Sequence, residues 1–159
     1  MRILLLTFYF EPDLCAGSFR NTALAEAFSK HLKKEDHLDV VTTMHNRYST
    51  YQADASEFEK YASNIHVYRS ELPEHKSGFF DQINSFKAYY ISARKQVKDK
   101  EYDLVIASSS RLFTAFLGAR VSSNKKAPLF LDMRDLFREN MQEIIKNPLI
   151  NYPLDIFLS

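Results

Sequence analysis

The sequence predicts a doubly wound α/β domain built on a parallel sheet, and three observations point there. An unbroken apolar run, Arg2–Phe8, opens the chain, as a strand buried on both faces of a parallel sheet requires. Short aliphatic runs then alternate with stretches whose apolar residues recur every three or four positions, in the order β-α-β-(α)-β-α-β-α-β-α. The length, 159 residues at 45% hydrophobic and 26% charged, suits one domain with a real core and leaves no room for two. Such alternation implies parallel pairing, because each crossover returns over the sheet. In a strand order 3-2-1-4-5 the first and fourth strands are neighbours at the switch point.

After the first strand, Glu11–Ser18 is turn-rich, with Pro12, Asp13 and Gly17. A helix follows in which Phe19, Ala23, Ala27 and Leu24, Phe28, Leu32 recur four apart as its apolar stripe. Ser18 stands where an N-cap belongs, and Lys30, Lys33 and Lys34 suit the carboxyl end of the helix dipole. Leu38–Thr42 is the second strand. The polar section Met44–Asn64 comes next, with a helix expected over Ala53–Ala62. Ile65–Arg69 reads as the third strand. From Phe80, the spacing of Ile83, Phe86, Tyr90, Ala93 and Val97 predicts a helix lying on the sheet. Tyr102–Ala107 is the fourth strand, and Leu112–Val121 a helix turning Phe113, Phe116, Leu117 and Val121 inward. Leu129–Leu131 begins a fifth strand, and Leu136–Lys146 is the last helix. The end, Leu149–Leu158, has Asp155 as its only charge, which predicts a fragment of a longer protein.

Composition excludes several classes. With 21 Lys+Arg against 20 Asp+Glu, the net charge of +1 gives no overall field for nucleic acid. One cysteine, Cys15, forbids an intrachain disulfide and a cysteine zinc cluster. The 5 histidines show no ligand spacing, so no metal site is expected. No run reaches the ~20 apolar residues of a membrane span, and the apolar opening lacks a cleavage site. The expected location is therefore cytoplasmic, at most peripheral at the inner face of the membrane. Lys87, Arg94, Lys95, Lys98 and Lys100 oppose only Asp99, with Tyr89 and Tyr90 beside them. Such a basic aromatic helix face fits anionic lipid, and equally an ordinary solvated face.

Binding in an open parallel sheet is expected beyond the carboxyl ends of the strands. Three loops there carry polar residues: Glu11–Arg20, Ser108–Arg111 and Asp132–Glu139. Gly17 is one of 3 glycines; with Ser18 and Arg20 at a helix start it can bring an anion to backbone N–H groups, or be a plain capped turn. Neither G-x-G-x-x-G nor G-x-x-x-x-G-K-[ST] occurs, so dinucleotide and P-loop fingerprints are absent. Ser108-Ser109-Ser110 with Arg111 offers hydroxyls and a cation, or simple capping. Asp132-Met133-Arg134-Asp135 with Glu139 gathers acids around a guanidinium, able to orient sugar hydroxyls, balance leaving-group charge, or only cap a helix.

Three segments together resemble a known family. Arg2–Phe10 with Glu11, Gly17, Arg20 and Ala23–Leu32, then Tyr102–Ser110, then Asp132–Glu139 are similar to the corresponding stretches of family 4 (group 1) glycosyltransferases. The last resembles the subset that builds O-antigen, capsule and colanic acid. The resemblance implies the acceptor-side, N-terminal Rossmann-like half of a GT-B enzyme, transferring a sugar with retention from a UDP- or GDP-linked nucleotide-sugar to a saccharide or lipid-linked acceptor. It implies no cofactor and no metal. By resemblance Arg134 and Asp135 line the reaction centre, while Gly17, Ser18, Arg20, Ser109 and Glu139 bind substrate. The sequence reads Ala16-Gly17 where many relatives have two glycines, and Arg134 stands where many have histidine. A missing C-terminal domain would hold the donor, so residues 1–159 alone are expected to be inactive. A non-catalytic α/β domain for an anionic ligand or a protein partner is the other reading.

Overall fold

A computed structural model of the chain describes residues 1–44, 55–73, 79–109 and 112–133. Among these described residues six strands form one sheet in the order β3-β4-β2-β1-β5-β6. They are β1 (Arg2–Thr7), β2 (His37–Thr43), β3 (Phe58–Ala62), β4 (Ile65–Ser70), β5 (Leu104–Ser109) and β6 (Leu129–Met133). All neighbours pair in parallel except β3, which runs antiparallel to β4. The helices are α1 (Ala16–His31), α2 (Phe79–Val97) and α3 (Leu112–Lys125). The fold is thus a Rossmann-like α/β sheet, with the expected order of five parallel strands and one added edge strand.

Alternation along each strand divides the core in two. Ile3, Leu5, Leu38, Val40, Val67 and Ile106 pack under α1. Leu4, Leu6, Phe8, Val41, Val105 and Ala107 pack under α2 and α3. Both faces are covered, so β1 can be apolar at every position from Ile3 to Leu6.

Several expectations are corrected. Of the helix expected over Ala53–Ala62, Phe58–Ala62 is the strand β3 and 55–57 are neither helix nor strand. Ser63 and Asn64 turn the chain back, and pairing with β4 overrides the helix-forming Ala, Glu and Lys content. Ser18 does not cap α1; Cys15 is the N-cap, with no side-chain capping bond, and Ser18 lies buried inside the first turn. Of the two apolar rows expected on α1, Leu24, Phe28 and Leu32 pack on the core, whereas Phe19, Ala23 and Ala27 face solvent. The buried positions of α1 are Ser18, Asn21, Thr22 and Ala25. On α2 the fully buried aromatic is Tyr89, whose hydroxyl reaches the carbonyls of Thr7 and Val41 at 3.0 and 2.9 Å. Tyr89 therefore does not belong to the basic surface, and Ile83 is exposed. On α3, Leu117 and Val121 point inward as expected, but Phe113 and Phe116 point out. The reason is Gly118: an added Cβ there would lie 2.5 Å from the Ala107 side chain, so the helix approaches β5 along its small-residue face. The expected helix Leu136–Lys146 and the tail Leu149–Leu158 lie outside the described residues.

At the amino ends of the strands Asp39 is wholly buried. It accepts from the Tyr102 hydroxyl (2.9 Å) and the Lys100 ammonium (3.2 Å), with Arg2 at 3.5 Å and His66 at 3.6 Å. The Lys100 ammonium also sits 3.5 Å from the centre of the Tyr68 ring, so Lys100 is tied to the sheet and not to the basic helix surface. Burial first, and then the Asp39 charge, push the Tyr102 hydroxyl well above the usual tyrosine range.

Candidate functional site

On the α1 side of the sheet, apolar rows give way to a polar one at the carboxyl ends. Thr7, Ser108 and Asp132 are in register across β1, β5 and β6. Thr42 and Arg69 are in register across β2 and β4, one residue beyond the Leu6–Val41 pair that joins β1 to β2. Thr7, Thr42, Arg69 and Ser108 each lie two positions after a residue of the apolar layer, as period-two alternation demands.

The amino-terminal part of α1 is bound to this row. Asn21 donates through Nδ2 to Thr7 Oγ1 (2.6 Å) and to the Tyr9 carbonyl (3.1 Å). Thr43 Oγ1 donates to the Phe8 carbonyl at 2.7 Å, and the Glu11 amide to Thr22 Oγ1 at 3.3 Å. The chain leaving β1 is thereby held on both sides before it enters the helix. At the far end of the row, Arg20 donates through Nη2 to Asp132 Oδ1 (2.7 Å), and Ser108 Oγ donates to Asp132 Oδ2 (3.2 Å). One carboxylate thus links α1, β5 and β6.

The predicted site residues divide accordingly. Arg20 is brought to the carboxyl end of β6, with its side chain 57% exposed, so its fork of donors is reachable from solvent. Gly17 and Ser18 stand in the first turn of α1, Gly17 half-buried and helical and not in a left-handed turn. Ser109, the last residue of β5, is buried. Arg134, Asp135 and Glu139 lie outside the described residues. No acid occupies the first turn of α1, so its dipole there is uncompensated by its own side chains.

Reading the sequence missed the other flank of α1. A cleft of about 470 Å³ opens there, lined by Glu11, Asp13, Phe19, Glu26, Glu59 and Arg69 among others. Arg69 is buried; its Nη1 meets Glu59 at 2.7 Å and its Nη2 donates to the Glu11 carbonyl at 3.0 Å. Burial and the neighbouring Glu11 and Glu26 push the Tyr61 hydroxyl above its ordinary range. The signal lay in β3, whose Glu59 becomes visible as a partner only once β3 is a strand. Chemically, the two flanks differ: a carboxylate-rich cleft on the β4 side, and an exposed guanidinium beside a carboxylate on the β6 side. Among the described residues, no group of three or more His, Cys, Asp or Glu is placed to hold a metal ion. No helix there is long and apolar enough to cross a membrane.

No protein-family model matches the chain, and no curated protein matches it. Among solved structures it is similar to the C-terminal domain of PF1911 hydrogenase from Pyrococcus furiosus. One crystal structure of that domain gives a TM-score of 0.55 at 13% identity, over 83% of this chain and 90% of that one. A second gives 0.53 at 14% identity, over 82% and 89%. A UGT transferase from Siraitia grosvenorii in complex with UDP gives 0.47 at 12% identity, over 82% of this chain and 27% of that one. At these identities the likeness to the hydrogenase domain establishes a shared fold.

Proposed function

We propose that the chain is the acceptor-side domain of a retaining glycosyltransferase, moving a sugar from a UDP- or GDP-linked donor to a saccharide or lipid-linked acceptor in surface-polysaccharide assembly. The observation that carries the reading is the polar row Thr7–Ser108–Asp132, with Arg20 bound to its end. The three segments that resemble family 4 glycosyltransferases are the ones that supply this row and the turn beside it. In such a transfer the bond from the anomeric carbon to the donor diphosphate breaks. The acceptor oxygen then bonds to the same face of the sugar, and its proton passes to the departing diphosphate. A guanidinium at the sheet edge and the open first turn of α1 both suit the charge that grows on the departing diphosphate. Arg134 and Asp135, two and three residues beyond Asp132, take the reaction-centre roles in this reading, and Glu139 a substrate contact.

The test is an amide-resolved NMR titration of the chain with UDP and with GDP, whose diphosphate is the part of the donor that Arg20 and the first turn of α1 meet in this reading, while the second domain holds the rest. Shifts centred on Gly17, Arg20, Ser108 and Asp132, lost in Arg20→Ala, are expected. Shifts centred elsewhere, or none at all, overturn the site. In an intact two-domain enzyme Gly17→Val and Asp135→Asn should each abolish transfer with folding preserved. Sugar transfer by residues 1–159 alone would overturn the assignment of donor chemistry to a second domain.

A further inference from the structure

We infer that the outer face shared by α2 and α3 docks the protein on an anionic bilayer surface. This does not rest on the glycosyltransferase reading. Ile83, Lys87, Tyr90 and Arg94 follow one another at spacings of four, three and four, which aligns them along one flank of α2. Phe113, Phe116 and Arg120 do the same on α3. The two flanks face each other: the Phe86 and Phe113 rings are 4.9 Å apart, and those of Tyr90 and Phe116 stack at 6.1 Å. Arg94 lies over the Tyr90 ring at 5.5 Å, which holds its charge beside the aromatic ridge.

The apolar members are turned out, with Phe116 at 58%, Phe113 at 45% and Ile83 at 38% exposure. Ile91, on the outer side of α2, is 58% exposed. An apolar ridge of this kind needs a partner or carries a cost in water. Charge selects the partner. Lys87, Arg94 and Lys95 on α2 and Arg120 on α3 are exposed and face Asp81 as the only acid of either helix, in a chain whose net charge is +1. A two-fold pairing of this face with itself would set these cations against their own copies. An anionic lipid surface accepts both features at once, phenyl rings at the headgroup boundary and cations among the phosphates.

The experiment is flotation of the full chain with vesicles of phosphatidylcholine alone, or of phosphatidylcholine mixed with phosphatidylglycerol. Binding is expected to the mixed vesicles only, and to weaken at high salt. Lys87→Ala/Arg94→Ala should reduce it about thirtyfold, from the worth of two surface cations. Phe113→Ser/Phe116→Ser should reduce it about tenfold or more. Lys30→Ala/Lys34→Ala, which removes the same charge from the carboxyl end of α1 and the turn after it, should leave binding within about twofold of the parent. The first and third variants alter exposed side chains only, so an unchanged circular dichroism spectrum is expected of both. No binding to mixed vesicles, binding unaffected by the α2 and α3 variants, or equal loss with the α1 variant would each overturn the proposal. So would a dimer in sedimentation that the phenylalanine variant dissolves.

Discussion

Two aspartates at opposite ends of the sheet should respond to substitution in opposite ways. Asp39 has no exposure and four cationic or donor neighbours within 3.6 Å. Asp39→Asn keeps its shape but removes the charge, leaving the Lys100 ammonium and the Arg2 guanidinium without their counter-ion. Removing one partner of a buried ion pair costs roughly 3–5 kcal/mol. Lys100 and Arg2 are partly exposed and recover some hydration, so the lower end, about 3 kcal/mol, applies here. In a domain of this size that lowers the melting temperature by about 10 °C. Asp132 is different: its partner Arg20 is more than half exposed, and such a pair contributes under about 1 kcal/mol. Asp132→Ala should therefore melt within about 3 °C of the parent while losing the nucleotide-induced shifts. Urea and thermal unfolding followed by circular dichroism measure both, since the chain has no tryptophan. If Asp39→Asn costs less than about 1 kcal/mol, or Asp132→Ala costs more than Asp39→Asn, the division into a structural and a functional end is wrong.

Gly118→Ala should destabilise by about 1–3 kcal/mol, because its Cβ would meet that of Ala107. Adding Ala107→Gly should return part of the loss, and strict additivity of the two in thermal unfolding would argue against the contact. Asn21→Leu should cost about 1–3 kcal/mol by removing the donor that Thr7 and the Tyr9 carbonyl share; an unchanged urea midpoint would count against it. At the amino terminus, the Met1 ammonium donates to Asp36, which raises the amine above its ordinary 8.0 and lowers the carboxyl below its ordinary 3.8. The carboxyl's contribution is present above 3.8 and lost as pH falls through its lowered value. The amine's is present below 8.0 and lost as pH rises through its raised value. Asp36→Asn should return the amine to its ordinary titration by NMR, and no change would refute the pairing.

The strands were legible because both faces of the sheet are covered. Ile3–Leu6 and Val105–Ala107 are apolar without interruption, and Leu38–Val41 is broken only by Asp39, a pattern few other environments produce. The helices were legible in extent and only in part in facing. Hydrophobicity pointed Phe113 and Phe116 inward, whereas the close approach of Gly118 to β5 fixes the rotation of α3. The same holds for α1. Its buried positions Ser18, Asn21 and Thr22 are polar because they lie over the polar carboxyl edge of the sheet, which no count of apolar residues along α1 alone can show. The strand β3 was illegible for a different reason. Its Glu59 and Lys60 favour a helix locally, and only the turn at Ser63 and Asn64 and the Glu59–Arg69 ion pair make it an edge strand.

The candidate site was half legible on similar grounds. Arg20 and Asp132 were singled out in separate loops, and strand register brings them to 2.7 Å. What the loops did not reveal is why that edge is polar at all. A row of Thr and Ser closing apolar strands is costly unless its hydrogen bonds are met. At the amino ends the fold meets them, with Asp39 drawing four neighbours from β1, β4 and the segment before β5. At the carboxyl ends α1 supplies those of Thr7 and Asp132, through Asn21 and Arg20, while among the described residues Thr42 Oγ1 is buried without a hydrogen-bond partner. An apolar edge under an apolar α1 would be at least as stable an alternative. It follows that substituting Thr7, Asn21, Thr42 and Ser108 together with Val, Leu, Val and Ala should leave a folded domain at least as stable as the parent, with its nucleotide-induced shifts gone. A repacked domain that keeps those shifts would show that the polar row serves only the fold.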